Sequence, residues 1–446
     1  MVPGARRLSE RICDLRHSEG GTTKRYNPGV QDHLDIDVDK LLADAKDGDA
    51  GAQFALAERF RTRAALDVDI QQAFVWYQRA AREEHAEAQY RLARCYARGT
   101  GVAADQEVAL TWYIAAAEQN YPSAQARLGW CYHTGIGTEP DMDRALTWYY
   151  AASANGNAMA QARLGDLYAR GTDVVADMNA ALRHWEQAAQ QGYTGAQMSL
   201  ALAYVNGNAG MRDFDQAIYW CKRAAEAGYD KAQYNLALIY ANSPPRFQDL
   251  ELAKYWMEKA AKSGLAPAQY ALSRFFQRGI ASESRPGEEM KWLRLAADGG
   301  HAKASYRMAM ALETGEGVTE NKKIAMSWLR RAADQGYIEA QYELARRCVL
   351  SAEPEYASLD DGIQWYEMAA RHGHLRAQYG LAVCLLTGKG TAKDTAGAYY
   401  WMSLAAEGGL PKAEYRLRIL EEQLDDGILR EARRRLTKRR TETSID

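Results

Sequence analysis

The sequence predicts an all-α solenoid of stacked helix pairs, and three observations carry that prediction. A phrase whose fullest copy is Ala124-Gln-Ala-Arg-Leu-Gly-Trp-Cys-Tyr132 recurs at a step of 36 residues. From Gln125 that step reaches Gln53, Gln89, Gln161, Gln197, Gln233, Gln269, Ser305 and Gln341, then Gln378 after one step of 37 and Glu414 after another of 36. A tryptophan series keeps its own register between these anchors, and a glycine follows it at constant distance. A period of roughly 20–50 residues marks repeat architectures, in which each unit packs only on its neighbours and no central core is needed.

The first helix of each unit, helix A, is set by the anchor phrase. Three residues after the anchor stands Leu56, Leu92, Leu128, Leu164, Leu200, Leu236, Leu272, Met308, Leu344, Leu381 or Leu417, always apolar. The next residue is usually small (Ala93, Gly129, Gly165, Ala201, Ala237, Ser273), and an aromatic follows a turn later at Tyr96, Tyr132, Tyr168, Tyr204, Tyr240 and Phe276. Large, small and aromatic residues at helical spacing form a face cut for close packing on another helix.

The second helix, helix B, carries Trp76, Trp112, Trp148, Trp220, Trp256, Trp292, Trp328, Trp365 and Trp401, with His184 in the one vacant step and Trp185 beside it. Aromatics at constant register fill the space between layers. Alanine pairs such as Ala80-Ala81 follow, then Gly156, Gly192, Gly228, Gly264, Gly300, Gly336, Gly373 and Gly409, the left-handed residue that ends a helix. The start is marked by Asp69, Asp105, Asp141, Asp177, Asp213, Asp249, Asn321, Ser358 and Asp394, whose side-chain oxygens cap a first turn. Arg285 breaks that series, and Pro286 suits the first helical position.

Between the helices, Gly99-Thr-Gly101, Gly135-Ile-Gly137, Gly315-Glu-Gly317 and Gly388-Lys-Gly390 permit a tight left-handed turn. No strand precedes them and no Walker lysine-serine pair follows, so they are not phosphate cradles. Three loops depart from this pattern: Asn242–Arg246, Ala281–Gly287 and Ser351–Ala357.

Residues 1–34 read as a flexible tail, 35–420 as the repeat solenoid with its own N-terminal capping helix, and 421–446 as a C-terminal capping helix with a basic tail. Asp35, Asp37 and Asp39 mimic a calcium loop, but Lys40 and Lys46 stand where that loop needs glycine and glutamate, so a solvated acidic helix start is expected. At the other end Arg433, Arg434, Arg435, Lys438, Arg439 and Arg440 complement a helix dipole.

A formal charge of −2 gives no global electrostatic reason to bind nucleic acid or an anionic membrane. Residues 1–20 hold no apolar run of the secretory kind, and no stretch approaches the length of a membrane span. A cytoplasmic protein without membrane insertion is expected. The six cysteines support this: Cys13 lies in the tail, and Cys95, Cys131, Cys221, Cys348 and Cys384 take packing positions rather than metal or disulfide spacing.

The unit A-x-A-Q-x-x-L-G-x-x-Y-x-x-G-x-G-V-x-x-D-x-x-x-A-x-x-W-Y-x-x-A-A-x-x-G resembles the Sel-1-like repeat, a relative of the tetratricopeptide repeat, over nearly all of residues 50–420. The resemblance implies a right-handed α/α superhelix with helix A lining the concave side, and members that work as adaptors without catalysis. A cysteine-rich secreted branch linked to penicillin binding or β-lactamase activity staples each unit with a disulfide; the paired cysteines are missing here.

The helix A face turned away from the packing residues falls two, five and nine residues after each anchor. It reads Arg91, Arg94, Arg98, then Arg127, Trp130, Thr134, then Arg163, Asp166, Arg170. The middle units change to Ser199, Leu202, Asn206 and Asn235, Leu238, Asn242, and the later ones bring Arg274, Arg278, Arg307, Met310 and Arg346. An arginine row repels itself unless carboxylates or an acidic ligand neutralise it, and arginine beside an out-of-register tryptophan is hot-spot composition. Arg91, Arg94, Arg98, Arg127, Trp130, Arg163 and Arg170 are therefore the candidate site for a protein partner, of which an acidic or C-terminal peptide is one form. Arginines paired to neighbouring Asp and Glu are the competing reading.

No catalytic residue, metal site or cofactor is expected. His33, His184, His301, His372 and His374 lack metal-site spacing, no HExxH or Gly-x-Ser-x-Gly occurs, and His372 and His374 read as a solvated turn around Gly373. The leading expectation is a non-catalytic adaptor. The alternatives are a β-lactamase-like hydrolase, resting on the unmatched branch, and a nucleic-acid binder using the arginines and the basic end.

Overall fold

The structure is a computed structural model that describes residues 38–63, 67–208, 210–279, 287–350 and 358–442. The 1–34 tail with Cys13 and His33, Asp35, Asp37, Arg285, Pro286, the 281–286 and 351–357 loop segments and the side chains of Lys438, Arg439 and Arg440 lie outside the described residues. Among the described residues there are 23 helices and no strand. They fall into two compact units, Met1–Asn157 and Ala158–Asp446.

In the first unit α1 (Val38–Lys46) precedes α2 (Ala50–Arg63), α3 (Asp67–Arg82), α4 (Ala86–Arg98), α5 (Gln106–Glu118), α6 (Pro122–Thr134) and α7 (Met142–Ala154). The second unit opens with α8 (Ala158–Arg170), α9 (Met178–Gln190), α10 (Thr194–Asn206), α11 (Phe214–Glu226), α12 (Asp230–Asn242) and α13 (Leu250–Lys262). It continues with α14 (Ala266–Gln277), α15 (Glu288–Asp298), α16 (Ala302–Thr314), α17 (Lys322–Asp334), α18 (Ile338–Leu350) and α19 (Leu359–Arg371). The last are α20 (Leu375–Thr387), α21 (Thr395–Glu407), α22 (Pro411–Gln423) and α23 (Asp426–Glu442). Even-numbered helices up to α22 are helix A and odd-numbered ones from α3 to α21 are helix B.

The chain starts and stops these helices by local chemistry. The Asp105 carboxylate accepts the backbone N–H groups of Glu107 at 3.1 Å and Val108 at 3.0 Å, leaving fewer unsatisfied donors in the first turn of α5. Asp141, Asp177, Asp213, Asp249, Asn321 and Asp394 cap in the same way. Two expected caps differ. Asp69 lies inside α3, which starts at Asp67, and Ser358 stands at the cap of α19 without a side-chain hydrogen bond. At the other end every expected stop glycine has positive φ, but in the first unit Glu84 (φ 61°) and Asn120 (φ 59°) take that left-handed position.

The anchors explain themselves once folded. The glutamine anchors are buried amides that tie helix A to the preceding helix B: Gln89 donates to the Ala81 carbonyl at 3.2 Å, and Gln233 to that of Ala225 at 3.2 Å. Both acceptors belong to alanine pairs, whose missing side chains let the helices approach. In three units the anchor oxygen also accepts from the next helix B: Gln119 on Gln89, Asn155 on Gln125 and Gln191 on Gln161, at 2.7–2.8 Å. The leucines three residues on are fully buried at Leu92, Leu128, Leu164, Leu200, Leu236 and Leu272.

The tryptophan series is only part of the inter-helix core. Trp76, Trp220, Trp256 and Trp292 are buried, whereas Trp112, Trp148, Trp328, Trp365 and Trp401 are half-buried. A register buried at every step lies one residue further on, at Tyr77, Tyr113, Tyr149, Trp185, Cys221, Met257, Leu293, Leu329, Tyr366 and Met402. The tryptophans instead roof this row, with Arg79 over Trp76 at 4.5 Å and Arg331 over Trp328 at 5.1 Å. Trp185 therefore fills the deep position while His184 takes the roof.

The ends differ from the repeats. Leu41 and Ala45 of α1 are buried, and the Ala45 carbonyl accepts Gln53 as an internal helix B would. On α22 the anchor register holds an exposed Glu414. Helix α23 covers α21 through buried Ala432 and a 2.9 Å contact from Arg435 to Asp394.

Candidate interaction surface

The predicted site residues sit on the open face of helix A, and the structure gives each a definite setting. In the first unit, Arg91 on α4 contacts Glu87 at 3.1 Å and Glu58 of α2 at 3.3 Å. Glu58 also accepts the Tyr77 hydroxyl at 2.5 Å and Arg61 at 2.6 Å. Burial alone would raise the Glu58 pKa, but these hydrogen bonds and the Arg91 charge hold it below the ordinary carboxylate value. The Arg94 guanidinium lies over Tyr90 at 5.8 Å, and Arg98 is exposed.

On α6 the Arg127 guanidinium lies 3.9 Å from the centre of the Trp130 ring, both half-buried. A stacked guanidinium keeps its in-plane N–H donors directed outward, so the pair presents a flat face with a cationic edge. Arg127 also reaches the buried Tyr113 hydroxyl, whose pKa burial pushes up to about 12.

In the second unit Arg163 on α8 stands 4.0 Å from Asp166, which accepts the Trp185 ring N–H at 3.0 Å, and Arg170 is exposed. Further along that unit the same registers hold exposed Leu202 and Asn206 on α10, then Asn242 on α12, which bonds back to the Leu238 carbonyl at 2.9 Å. Arg346 on α18 pairs with Glu343 at 3.1 Å. Thus Arg91, Arg163 and Arg346 have carboxylate partners, Arg94 and Arg127 have aromatic ones, and Arg98 and Arg170 point to solvent.

Two recesses open on this face in the second unit. One of about 230 Å³ lies between α14, α15 and α16, with Arg307, Met310, Met290, Glu289 and Glu316 in its walls. Burial and the nearby Glu316 raise the Glu289 pKa, against the pull of Arg307 and Arg274. The other, of about 290 Å³, lies between α18 and α20 over Tyr366 of α19. The sequence carried a signal for it: Gly380, two residues after its anchor, stands where other units have Arg91, Arg127, Arg163, Asn235 or Arg307.

Three histidines have structural roles. His301 and His374 are half-buried N-caps, not a solvated turn: their Nδ1 atoms accept the N–H groups of Ala304 at 3.2 Å and Ala377 at 3.1 Å. Their rings pack on Tyr270 and Tyr342 at 4.5 and 4.6 Å. His85 does the same against Phe54, capping Ala88 at 3.2 Å. A histidine just past a stop glycine, four residues before an anchor, was the available clue. His372 is exposed, and His184 stacks on Tyr168 at 5.9 Å. Among the described residues no group of three His, Cys, Asp or Glu could hold a metal ion, and no helix is long and apolar enough to cross a membrane.

Helix pairs stacked at constant period, with repeated buried registers and a varied open face, define an α/α repeat protein of the solenoid class. The Sel1 repeat matches it in ten consecutive copies that together cover residues 50–410, and the chain belongs to that family. Sel1 repeat proteins are generally non-catalytic helical scaffolds that mediate protein interactions.

Among solved structures, c5321, a protective antigen of uropathogenic Escherichia coli displaying an SLR fold, is 28% identical with a TM-score of 0.61, over 90% of this chain and 93% of its own. A Sel1 repeat protein from Oxalobacter formigenes is 30% identical with a TM-score of 0.58, over 70% of this chain and 90% of its own. No curated protein matches the chain.

Proposed function

We propose that this protein is a non-catalytic adaptor that holds a protein or peptide partner on the open face of its A helices. One observation carries the reading. From unit to unit the buried leucine register and the deep helix B register stay apolar, while the open-face registers pass from arginine and tryptophan through leucine and asparagine to arginine and methionine. Packing alone requires the first pattern and is indifferent to the second.

Within the first unit, Arg94, Arg98, Arg127 and Trp130 are the residues through which an acidic segment, including a C-terminal one, would be held. Arg91 orders that surface through Glu58 and Glu87, and Arg163 and Arg170 belong to the second unit's share. The free thiols, half-buried at Cys95 and buried at Cys221, support a reducing, cytoplasmic setting: desolvation pushes Cys95 up to about 11 and Cys221 up to about 12, so neither is a reactive thiolate at neutral pH. We assign α1 and α23 the role of end caps on one repeat domain spanning residues 35–420 and its C-terminal extension.

Affinity capture from native lysate tests the function, comparing the intact protein with an Arg94→Glu, Arg98→Glu, Arg127→Glu variant whose helical circular dichroism is unchanged. A partner held by the intact form and lost by the variant is the expected result. The same partners on both would remove these residues from the site, and no partner on either would count against the adaptor reading.

A further inference from the structure

A single glycine, Gly380, lines the recess over Tyr366. An added Cβ at Gly380 would lie 2.8 Å from the Tyr366 Cε1 and Cζ atoms and 3.2 Å from its hydroxyl oxygen. The ring therefore occupies the space that an open-face side chain would need. Glycine in a helix interior is unfavourable relative to alanine. Here it lets the Tyr366 ring lie against the helix at the floor of an opening of about 290 Å³ between α18 and α20.

The lining of that opening is chemically one-sided. Val349, Leu350, Tyr366, Tyr379 and Val383 supply apolar walls, and Leu350 remains 63% exposed at the edge. The charged residues around them are Arg346, Arg376 and Lys389, with no carboxylate among the described residues of the lining. Glu343 offsets Arg346, whereas Arg376 and Lys389 form no ion pair among the described residues and are exposed. The 230 Å³ recess between α14, α15 and α16 contrasts with it, holding Glu289 and Glu316 beside its arginine.

We propose that this recess receives one bulky apolar side chain of a partner's peptide segment whose flanking residues are Asp or Glu. The apolar walls desolvate the side chain, and Arg376 and Lys389 meet the flanking carboxylates at the rim. This rests on the adaptor reading and adds a second contact point, separate from Arg94, Arg98 and Arg127.

The test is selection of short random peptides displayed on phage against the full chain, followed by anisotropy titration of the enriched peptides. Two variants serve as probes. Arg376→Glu with Lys389→Glu reverses the rim; Val383→Glu puts charge in the wall at a register where other units carry Asp166, Arg274 or Arg346, so the helix tolerates it. Gly380→Ala is avoided because the clash with Tyr366 would disturb the fold.

The expected result is a consensus of one large apolar residue beside Asp or Glu, bound at least about tenfold more weakly by either variant and weakening as salt rises. A consensus without acidic residues, or binding indifferent to both variants, overturns the proposal. Peptides that bind but are lost on Arg94→Glu, Arg98→Glu, Arg127→Glu instead would leave the adaptor reading standing and remove this site. No enrichment, while a protein partner is still captured, would do the same.

Discussion

Gly165→Ala asks whether the deep aromatic register sets the size of the residue facing it. In an exposed helix interior the change would stabilise by roughly 0.8–1 kcal/mol. On α8 the new Cβ would instead lie 2.4 Å from Cδ1 and 2.6 Å from Nε1 of Trp185. That ring has little freedom to retreat, since Trp185 is 6% exposed and its N–H is held by Asp166 at 3.0 Å. Overpacking of this kind costs about 1–3 kcal/mol, so after the helix gain the net expectation runs from no gain to a loss of about 2 kcal/mol. Because a long repeat array need not unfold in one step, the readout is the hydrogen-exchange opening free energy of α8 and α9 amides rather than one melting temperature.

The control is built into the chain. At the same two registers in the α16–α17 pair, Ala309 accompanies Leu329, both buried. With Trp185→Leu already in place, Gly165→Ala should therefore turn neutral or stabilising, giving a coupling of about 2 kcal/mol in the double-mutant cycle. Protection that rises by about 1 kcal/mol in both backgrounds would refute the reasoning.

Two further outcomes follow from other features of the fold. Burial lowers the pKa of His301 and His374, aided by Lys303 at the first and by Arg376 at the second against Glu339 and Glu343. Their caps need an unprotonated Nδ1, so this stability is complete above the ordinary histidine pKa of about 6.5 and is lost as pH falls through the lower folded value. Exchange protection in the first turns of α16 and α20 should drop between about pH 7 and pH 5, and His301→Asn with His374→Asn should abolish that dependence. At the α3–α4 turn, Glu84 holds a left-handed conformation, φ 61°, where later units have glycine. Glu84→Gly should stabilise by roughly 1 kcal/mol in the exchange of α3 and α4 amides, and no gain would show that the strain is relieved elsewhere.

Much of the fold was legible because repetition averages out noise: one Asp before a helix is a weak signal, but the same cap at Asp105, Asp141, Asp177, Asp213 and Asp249 is a strong one. The open-face residues were legible for the same reason, since the packing registers were known by elimination. What the anchors do was less visible. A glutamine at Gln89 or Gln233 reads as polar, and only the folded chain shows its amide buried against the alanine carbonyls of the preceding helix.

By itself the sequence determined the class of fold, the length and order of the helix pairs, most of their caps and stops, and the registers that face solvent. These follow from local backbone preference and from periodicity along one helix. Tertiary structure alone decided the rest: that the residue after each tryptophan is the one buried throughout, that Arg91 and Arg163 have carboxylate partners while Arg127 has Trp130, that His301 and His374 are caps, and that the Tyr366 ring packs against Gly380 beneath a recess. Each of these depends on distances between side chains, and several join different helices. Periodicity gives a direction around one axis, but it does not give the separation between two.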